Sequence, residues 1–446
     1  MQGEMLFWIW LSEALRAKNR DFRRLIALYE GPYELFHAED AEIERIEGIT
    51  PRTAEALMQK DLRRATEILD TCEQKGIGIL PFGDPAYPEV LYDLAEPPVL
   101  MYYRGRLPDF GKRLLIGMVG TRKMSEYGLR SAYKIAYELT RAGAVTVSGM
   151  AAGIDGVCAA ASLAAKGETV AVLGGGVDVV YPRHHKALHE AIAENGVLLS
   201  EYPPGTPPAQ YHFPVRNRLI AGLSQGTVVV EAGIGSGSLI TAKDAILQGK
   251  EVFALPANVG SRGAEGTNGL LRDGAIPVLE SADVLKPYLY AYAQSLKPEA
   301  LVAAQAESRA DLGYLDRMGV IELTRRRVPS ADTATTAVQP DEAPKRAPKP
   351  RASRAVKTPV QKTDTPGVGP TSAPAKQTAR ETPDAILASL SDIQREVLGA
   401  IPDDRAVTAD VLAGLGYPYG EIASALTMLE IMGLVQKLPG ALYAKA

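Results

Sequence analysis

A chain of 446 residues is too long for one ordinary core, and roughly two to four domains are expected from such a length. With 46% apolar residues most of it can fold, and its 42 glycines suit the tight strand-to-helix turns of an α/β protein. A net charge of −4 excludes a global basic field that coats DNA indiscriminately, so any nucleic-acid site must be a local patch.

The only cysteines, Cys72 and Cys158, stand far apart with no ligand spacing. A disulfide framework and a zinc site are therefore not expected, and the setting is a reducing cytoplasm. The apolar run LFWIWL near the N-terminus is short and lacks a basic leader, and no run approaches the roughly 20 apolar residues of a spanning helix. No membrane partner is expected.

Residues 1–75 are helical in pattern. Within them ELFHAEDAEIERIEGITPRTAEAL places a turn at Ile46–Ile49 between two helices. Two readings stay open: a helix-hairpin-helix whose turn amides hold a DNA phosphate, or a structural αα-hairpin.

Residues 76–290 alternate apolar runs with amphipathic stretches. The strand candidates are Gly78–Phe82, Val99–Tyr103, Leu114–Val119, Ala144–Val147, Val170–Leu173, Val197–Glu201, Thr227–Glu231 and Glu251–Leu255. The helix candidates are Tyr127–Ala142, Asp155–Ala165, His185–Glu194, Arg216–Leu223, Gly237–Leu247 and Gly269–Arg272. This alternation predicts βαβ units and a mainly parallel sheet, with ligands beyond the carboxyl ends of the strands at a switch in strand order. Five strands are followed by loops rich in Gly, Ser and Thr: Gly120-Thr121-Arg122-Lys123, SGMAAGID (148–155), GGGVDVVYP (174–182), AGIGSGSLIT (232–241) and PANVGSRGAEGTNGLL (256–271). Glycine lets amides approach an anion, and helix N-termini add partial positive charge. Together the loops predict a rim for a phosphate-bearing ligand, with Gly120, Thr121, Ser148, Gly149, Gly153, Ser236, Gly237 and Ser238 among its residues.

The segment HFPVRNRLIAGLS (212–224) sets an aromatic, two arginines and an asparagine before an apolar run. Guanidinium groups grip phosphate, and an exposed Phe213 can stack on a base, the combination a single strand requires. The alternative is that Phe213 fills a core while Arg216 and Arg218 are solvated.

Residues 291–327 read as a connecting helical segment. Residues 328–383 contain no Leu, Ile, Met or aromatic and carry nine Lys or Arg against five Asp or Glu. Such a segment buries too little apolar surface to offset its ordering entropy, and a disordered tether is expected. Residues 384–446 read as three short helices and a terminal hairpin, a winged-helix layout. Its third helix, GEIASALTMLEIMG, has no Lys or Arg, which points away from groove reading.

Catalytic groups are scarce. No P-loop and no dinucleotide fingerprint follows a strand. His184, His185 and His189 share one helix pattern and read as surface residues. Asp155 reads as the cap of the helix after it. Glu231 ends a buried strand and suits a ribose, a metal or loop amides. Neither a cofactor nor a catalytic residue is expected.

At these loops the chain resembles the DNA-processing protein A family, also called Smf. The resemblance rests on Gly120-Thr121-Arg122, SGMAAGID, Tyr181-Pro182, FPVRNRLIAGLS (213–224), EAGIGSGSLIT (231–241), GTNGLLRDGA (266–275) and YPEVLYDLAEPPVLMYYRG (87–105). It implies an extended Rossmann-like α/β core over residues 76–290, flanked by an N-terminal helical domain (1–75) of sterile-alpha-motif or helix-hairpin-helix type and by a winged-helix-like domain (384–446). It also implies a homodimer that binds single-stranded DNA and loads the recombinase RecA, as in natural transformation, without enzymatic activity. Carried over, Arg122 with neighbouring Lys123 would contact phosphate, Phe213 would stack on bases, and Arg216, Asn217 and Arg218 would line the same pocket. Asn268, Leu270 and Leu271 would lie near the dimer face. The chain departs from the family pattern at Ala152, where arginine is usual, and at Ala159, after Cys158, where histidine is usual; His185 stands near a common asparagine. A related-fold alternative is a nucleotide phosphoribohydrolase using Glu231 with the Gly235–Ser238 loop.

Overall fold

A computed structural model describes residues 2–261, 263–322, 390–402, 407–417 and parts of 422–445. The chain forms two compact units, Met1–Thr333 and Ala334–Ala446. The predicted tether at 328–383 lies outside the described residues.

Six helices open the first unit: α1 (Gln2–Leu15), α2 (Phe22–Leu28), α3 (Pro32–His37), α4 (Asp40–Glu44), α5 (Pro51–Met58) and α6 (Arg63–Lys75). They close on Ile9, Leu11, Phe22, Leu25, Leu35, Ile43 and Leu57, all buried. The turn between α4 and α5 is used internally. Thr50 donates its amide to Asp21 Oδ2 (3.0 Å), its Oγ1 accepts from the Thr53 amide (3.2 Å) to cap α5, and Arg24 covers the Glu47 carbonyl. The Thr50 amide, just after the turn, is therefore already satisfied within the protein. Phe22 meets Phe82 edge-on with centroids 5.1 Å apart, a spacing favoured by aromatic pairs, which ties the helices to the sheet.

The sheet contains β1 (Gly78–Pro81), β2 (Leu100–Gly105), β3 (Leu115–Val119), β4 (Val145–Ser148), β5 (Thr169–Val172), β6 (Val197–Ser200), β7 (Gly226–Val229), β8 (Glu251–Ala254) and β9 (Ile276–Pro277). Their order is β1-β2-β6-β5-β4-β3-β7-β8-β9. β1 and β2 join antiparallel at one edge, and the strands from β6 to β9 run parallel. The helices between them are α7 (Glu126–Arg141), α8 (Ile154–Ala164), α9 (Lys186–Asn195), α10 (His212–Leu223), α11 (Gly237–Leu247) and α12 (Glu265–Arg272). Both sheet faces are covered, so the strands read as continuous apolar runs. Ile116 and Met118 face the core shared with α7 and α8, while Leu115 and Val119 face the one shared with α10 and α11.

The strands and helices fall close to their expected spans, with three differences. α10 starts at His212, not Arg216, because Pro214 lies among the first four positions, whose amides have no intrahelical partner. α12 starts four residues early, at Glu265. β9, two residues long, has no periodicity to read.

Residues 281–317 add three short helices, Ser281–Leu285, Ala300–Glu307 and Leu312–Arg317. They are pinned to α7 by the buried carboxylate of Glu138, which accepts from Ser281 Oγ and Ser308 Oγ, each at 2.7 Å. The second unit has a helix at Asp392–Ala400, closed by a Ser391/Gln394 capping box, and an antiparallel three-stranded sheet of Val407–Thr408, Leu442–Lys445 and Val435–Leu438. Ile422, Ala425, Leu426 and Leu429, from the expected third helix, are buried with Val397 and Ile401.

Candidate nucleic-acid interface

From β3 the chain winds through β4 and β5 to one side, and β7 resumes on the other. The switch point therefore falls between β3 and β7, where a parallel sheet opens a crevice beyond its strand ends. A cleft of about 390 Å³ lies there. Gly120 and Arg122 from the β3 loop, Ala151 and Asp155 after β4, Tyr181 after β5, and Ser236, Gly237 and Ser238 at the start of α11 line it. Phe213, Arg216 and Asn217 of α10 form its wall.

Phe213 is half-buried, not entombed. The exposed Arg122 guanidinium lies 5.1 Å from its ring centroid and that of Arg216 lies 5.9 Å away, both within cation–π range. Tyr181, 38% exposed, places a second ring 5.4 Å from Phe213. One crevice thus holds two aromatic surfaces, two guanidinium groups and the first amides of an eleven-residue helix.

Arg216 is held deep. It is buried, and its Nη1 donates to the Gly149 carbonyl (2.9 Å) and to the Val172 carbonyl. Its Nε donates to Asn217 Oδ1 (3.2 Å), and Asn217 Nδ2 reaches the Gly237 carbonyl (3.3 Å), tying α10 to α11. Burial lowers the Arg216 guanidinium to about 10, against the pull of Asp155 and aided by the nearby Arg122 charge. It therefore stays charged at neutral pH. Asp155 is also buried, and burial raises its carboxyl, opposed by Arg216 and by the amides of Gly149, Ala151 and Gly120. Gly149 donates to Asp155 Oδ2 at 3.0 Å. The expected helix cap is thus corrected: Gly153 occupies the cap position without a side-chain bond, and Asp155 holds the preceding loop.

The glycines serve close approach. A Cβ on Gly149 would stand 2.3 Å from Arg216 Nη1, and one on Gly120 would stand 2.6 Å from Ile154. Gly153 has φ +86, and a Cβ there would meet the Thr121 carbonyl at 2.3 Å. Ser148 is buried and accepts from the Met150 amide (3.3 Å), so it shapes the loop. Thr121 accepts the Lys123 amide at 3.2 Å, and Lys123 is exposed beside the cleft without lining it. Ser236 and Ser238 pair through their hydroxyls at 2.8 Å.

Several expectations change. Arg218 does not line the cleft; it is buried in an ion pair with Glu201 (2.6 Å) on the other side of α10. The loop after β8 does not join the rim. It bounds a separate crevice of about 450 Å³ with Ser125, Tyr127 and Glu231. There Glu231 Oε2 accepts the Ser125 amide at 2.9 Å, and Ser125 caps α7, so the carboxylate serves loop amides. Glu231 lines this crevice, whereas Ser236, Gly237 and Ser238 line the switch-point cleft. His185 and His189 are buried, not at the surface; His185 Nδ1 is bonded to the Met150 carbonyl (3.2 Å) and His189 Nε2 to the Val177 carbonyl (3.0 Å). Asn268 spends its amide on the backbone of Ala257 (3.1 and 3.0 Å), and Leu270 and Leu271 are both half-buried, Leu270 packed against the core.

Residues 78–288 match the family model described as DNA recombination-mediator protein A, and residues 381–441 match the DprA winged helix domain. Protein Smf of Synechocystis is 30% identical over 99% of each chain. The chain belongs to the DNA-processing protein A (Smf) family. The DNA processing protein DprA of Bacillus subtilis is 40% identical over 49% of this chain and 74% of its own. The crystal structure of the Streptococcus pneumoniae DNA processing protein A superposes with a TM-score of 0.56 at 33% identity, covering 63% of this chain and 97% of that one.

The departures from the family pattern have places in the fold. Ala159 is buried inside α8 and Ala152 is half-buried in the loop before it. Tyr181 and Asp155 are among the cleft residues that the sequence alone does not assign to the site. Their signal was present, an aromatic ending a Gly-rich loop and an acid closing SGMAAGID, but their juxtaposition with Phe213 and Arg216 is tertiary. Among the described residues no helix is long and apolar enough to cross a membrane.

Proposed function

We propose that this chain binds single-stranded DNA in the switch-point cleft and, working as a cytoplasmic homodimer, delivers the strand to the RecA recombinase, as in natural transformation. One observation carries the reading: a half-exposed phenylalanine flanked by two guanidinium groups at the mouth of a crevice rimmed by backbone amides. A base stacks on Phe213 and Tyr181, while Arg122 and the α11 amides neutralise the adjoining phosphate. These contacts are blind to sequence. Transfer to RecA, dimerisation near the Asn268–Leu271 stretch and the lack of an enzymatic step are supported by family membership.

Binding of fluorescent oligo-dT across a salt series tests the cleft. Arg122→Ala should shallow the logarithmic salt slope by about 0.7 for one lost phosphate contact. Phe213→Ala should lose about 1–3 kcal/mol of stacking at every ionic strength. Unchanged binding by both variants would dismiss the cleft.

A further inference from the structure

A second groove of about 690 Å³ lies between the N-terminal helices and the sheet, on the other side of α10. The chain leading into α10 is the partition. Gln210, Phe213, Pro214, Arg216 and Asn217 line the switch-point cleft, while Tyr211, His212 and Val215 line the groove. Tyr211, 72% exposed, stands on the crest.

The groove repeats the chemistry of the cleft. Arg16, Lys18, Arg20, Arg52 and Arg64 line it. Of its four acids, Glu201 is neutralised by Arg218, which lies outside the groove, and Asp21, 4.0 Å from Arg20, is buried against Thr50 and Thr53. Glu96 is 3.9 Å from Lys18 and Glu13 is 3.8 Å from Arg64. Arg16 and Arg52 are exposed and make no ion pair among the described residues. Aromatic surface is present too: Tyr202 stacks on His212 with centroids 4.0 Å apart, and Tyr211 meets the same imidazole edge-on at 4.4 Å.

The backbone adds an independent observation. Arg16 and Lys18 hold φ of 60 and 61, the left-handed region that non-glycine residues rarely adopt. Both lie in the loop after α1, whose next residues are fixed by Asn19 donating to the Leu15 carbonyl (2.8 Å) and accepting the Asp21 amide (2.8 Å). Two cationic side chains are thus presented by strained backbone at the groove's edge, and such strain clusters at functional surfaces.

We propose that this groove is a second phosphodiester-binding segment, which takes the same single strand onward from the switch-point cleft across Tyr211. The inference rests on the cleft being a strand site. The phosphates of the continuing strand bind Arg16, Arg52 and Arg20, and a base stacks on Tyr211 at the crossing. The length of strand the protein holds is then set by the cleft and the groove together.

The test uses the full chain and an oligo-dT series from lengths that only the cleft can cover to several times longer. The Arg16→Gln/Arg52→Gln variant changes two exposed side chains and keeps their stems. It should bind the long oligomers roughly tenfold more weakly at physiological salt, with a salt slope shallower by about 1.4, and bind the shortest ones like the parent. Tyr211→Ala should show the same length dependence. Long-oligomer binding unchanged in both variants, or equal weakening at every length, would overturn the groove. Failure of the cleft itself reads differently: Arg122→Ala would then bind the shortest oligomers as tightly as the parent.

Discussion

Arg122 and Arg216 approach the same benzyl ring from opposite solvation regimes. Arg122 is exposed and free to move onto a phosphate; Arg216 is buried and bonded to two carbonyls. Their substitution therefore reports different things. Arg216→Ala leaves the Gly149 and Val172 carbonyls without their donor, at about 1–3 kcal/mol for each buried acceptor. We expect chemical denaturation to show this variant destabilised by roughly 2–5 kcal/mol, whereas Arg122→Ala should melt like the parent. Equal stability of the two would show that Arg216 does not brace the loop. The segment HFPVRNRL announced cations and an aromatic but not this division of labour. Part of it follows from helix geometry alone: residues two apart do not share a face, so Arg216 and Arg218 must diverge once the segment is helical. The ion pair of Arg218 with Glu201 needs the end of β6 beside α10, and nothing local to either residue signals it.

At the scale of elements, the cleft depends on how closely the loop after β3 can lie on the start of α8. Gly153 makes this possible. Its φ of +86 suits glycine, and the Thr121 carbonyl and Arg122 Cα occupy the space of a side chain at 2.3 and 2.8 Å. Gly153→Ala should cost about 1–3 kcal/mol of stability from backbone strain, more if the β3 loop cannot shift. Because that shift would carry Arg122 away from Phe213, oligo-dT affinity should fall even in the folded fraction. A variant with parental stability and affinity would show the contact to be pliable. Several parallel strands were readable as buried apolar runs punctuated by glycine, as in VTVS before Gly149 and TVAVL before Gly174. The convergence of four loops, with the β8 loop excluded, was not. Loop composition is alike in all five, and only the strand order assigns each loop to a crevice. His185 shows the reverse failure. Its helical spacing matches an exposed position, yet a turn at Arg183–His185 rotates it beneath the Met150 carbonyl, and burial lowers its imidazole to about 4.

On the scale of the whole molecule, a chain of net charge −4 must bind a polyanion through local geometry. The aromatic and cationic groups argued for here all lie within the first unit, on both sides of α10. Residues 328–383 carry a surplus of four basic charges, and GEIASALTMLEIMG carries no Lys or Arg. Those basic charges are interspersed with Pro and Ala in the sequence, and attraction beyond a Debye length is removed by salt: that length falls from about 30 Å at 0.01 M to about 8 Å at physiological ionic strength. A chain ending at Glu322 keeps the helical N-terminus, the nine-stranded sheet and the Glu138-anchored helices that cover it. It should therefore bind oligo-dT within about twofold of the full chain at physiological salt and fall behind only at low salt, where unscreened basic residues still attract the strand. Fluorescence anisotropy on both chains over one salt series decides the matter. A tenfold deficit of the shorter chain at physiological salt would place essential strand contacts beyond residue 322, and the two sides of α10 would no longer suffice as the binding surface.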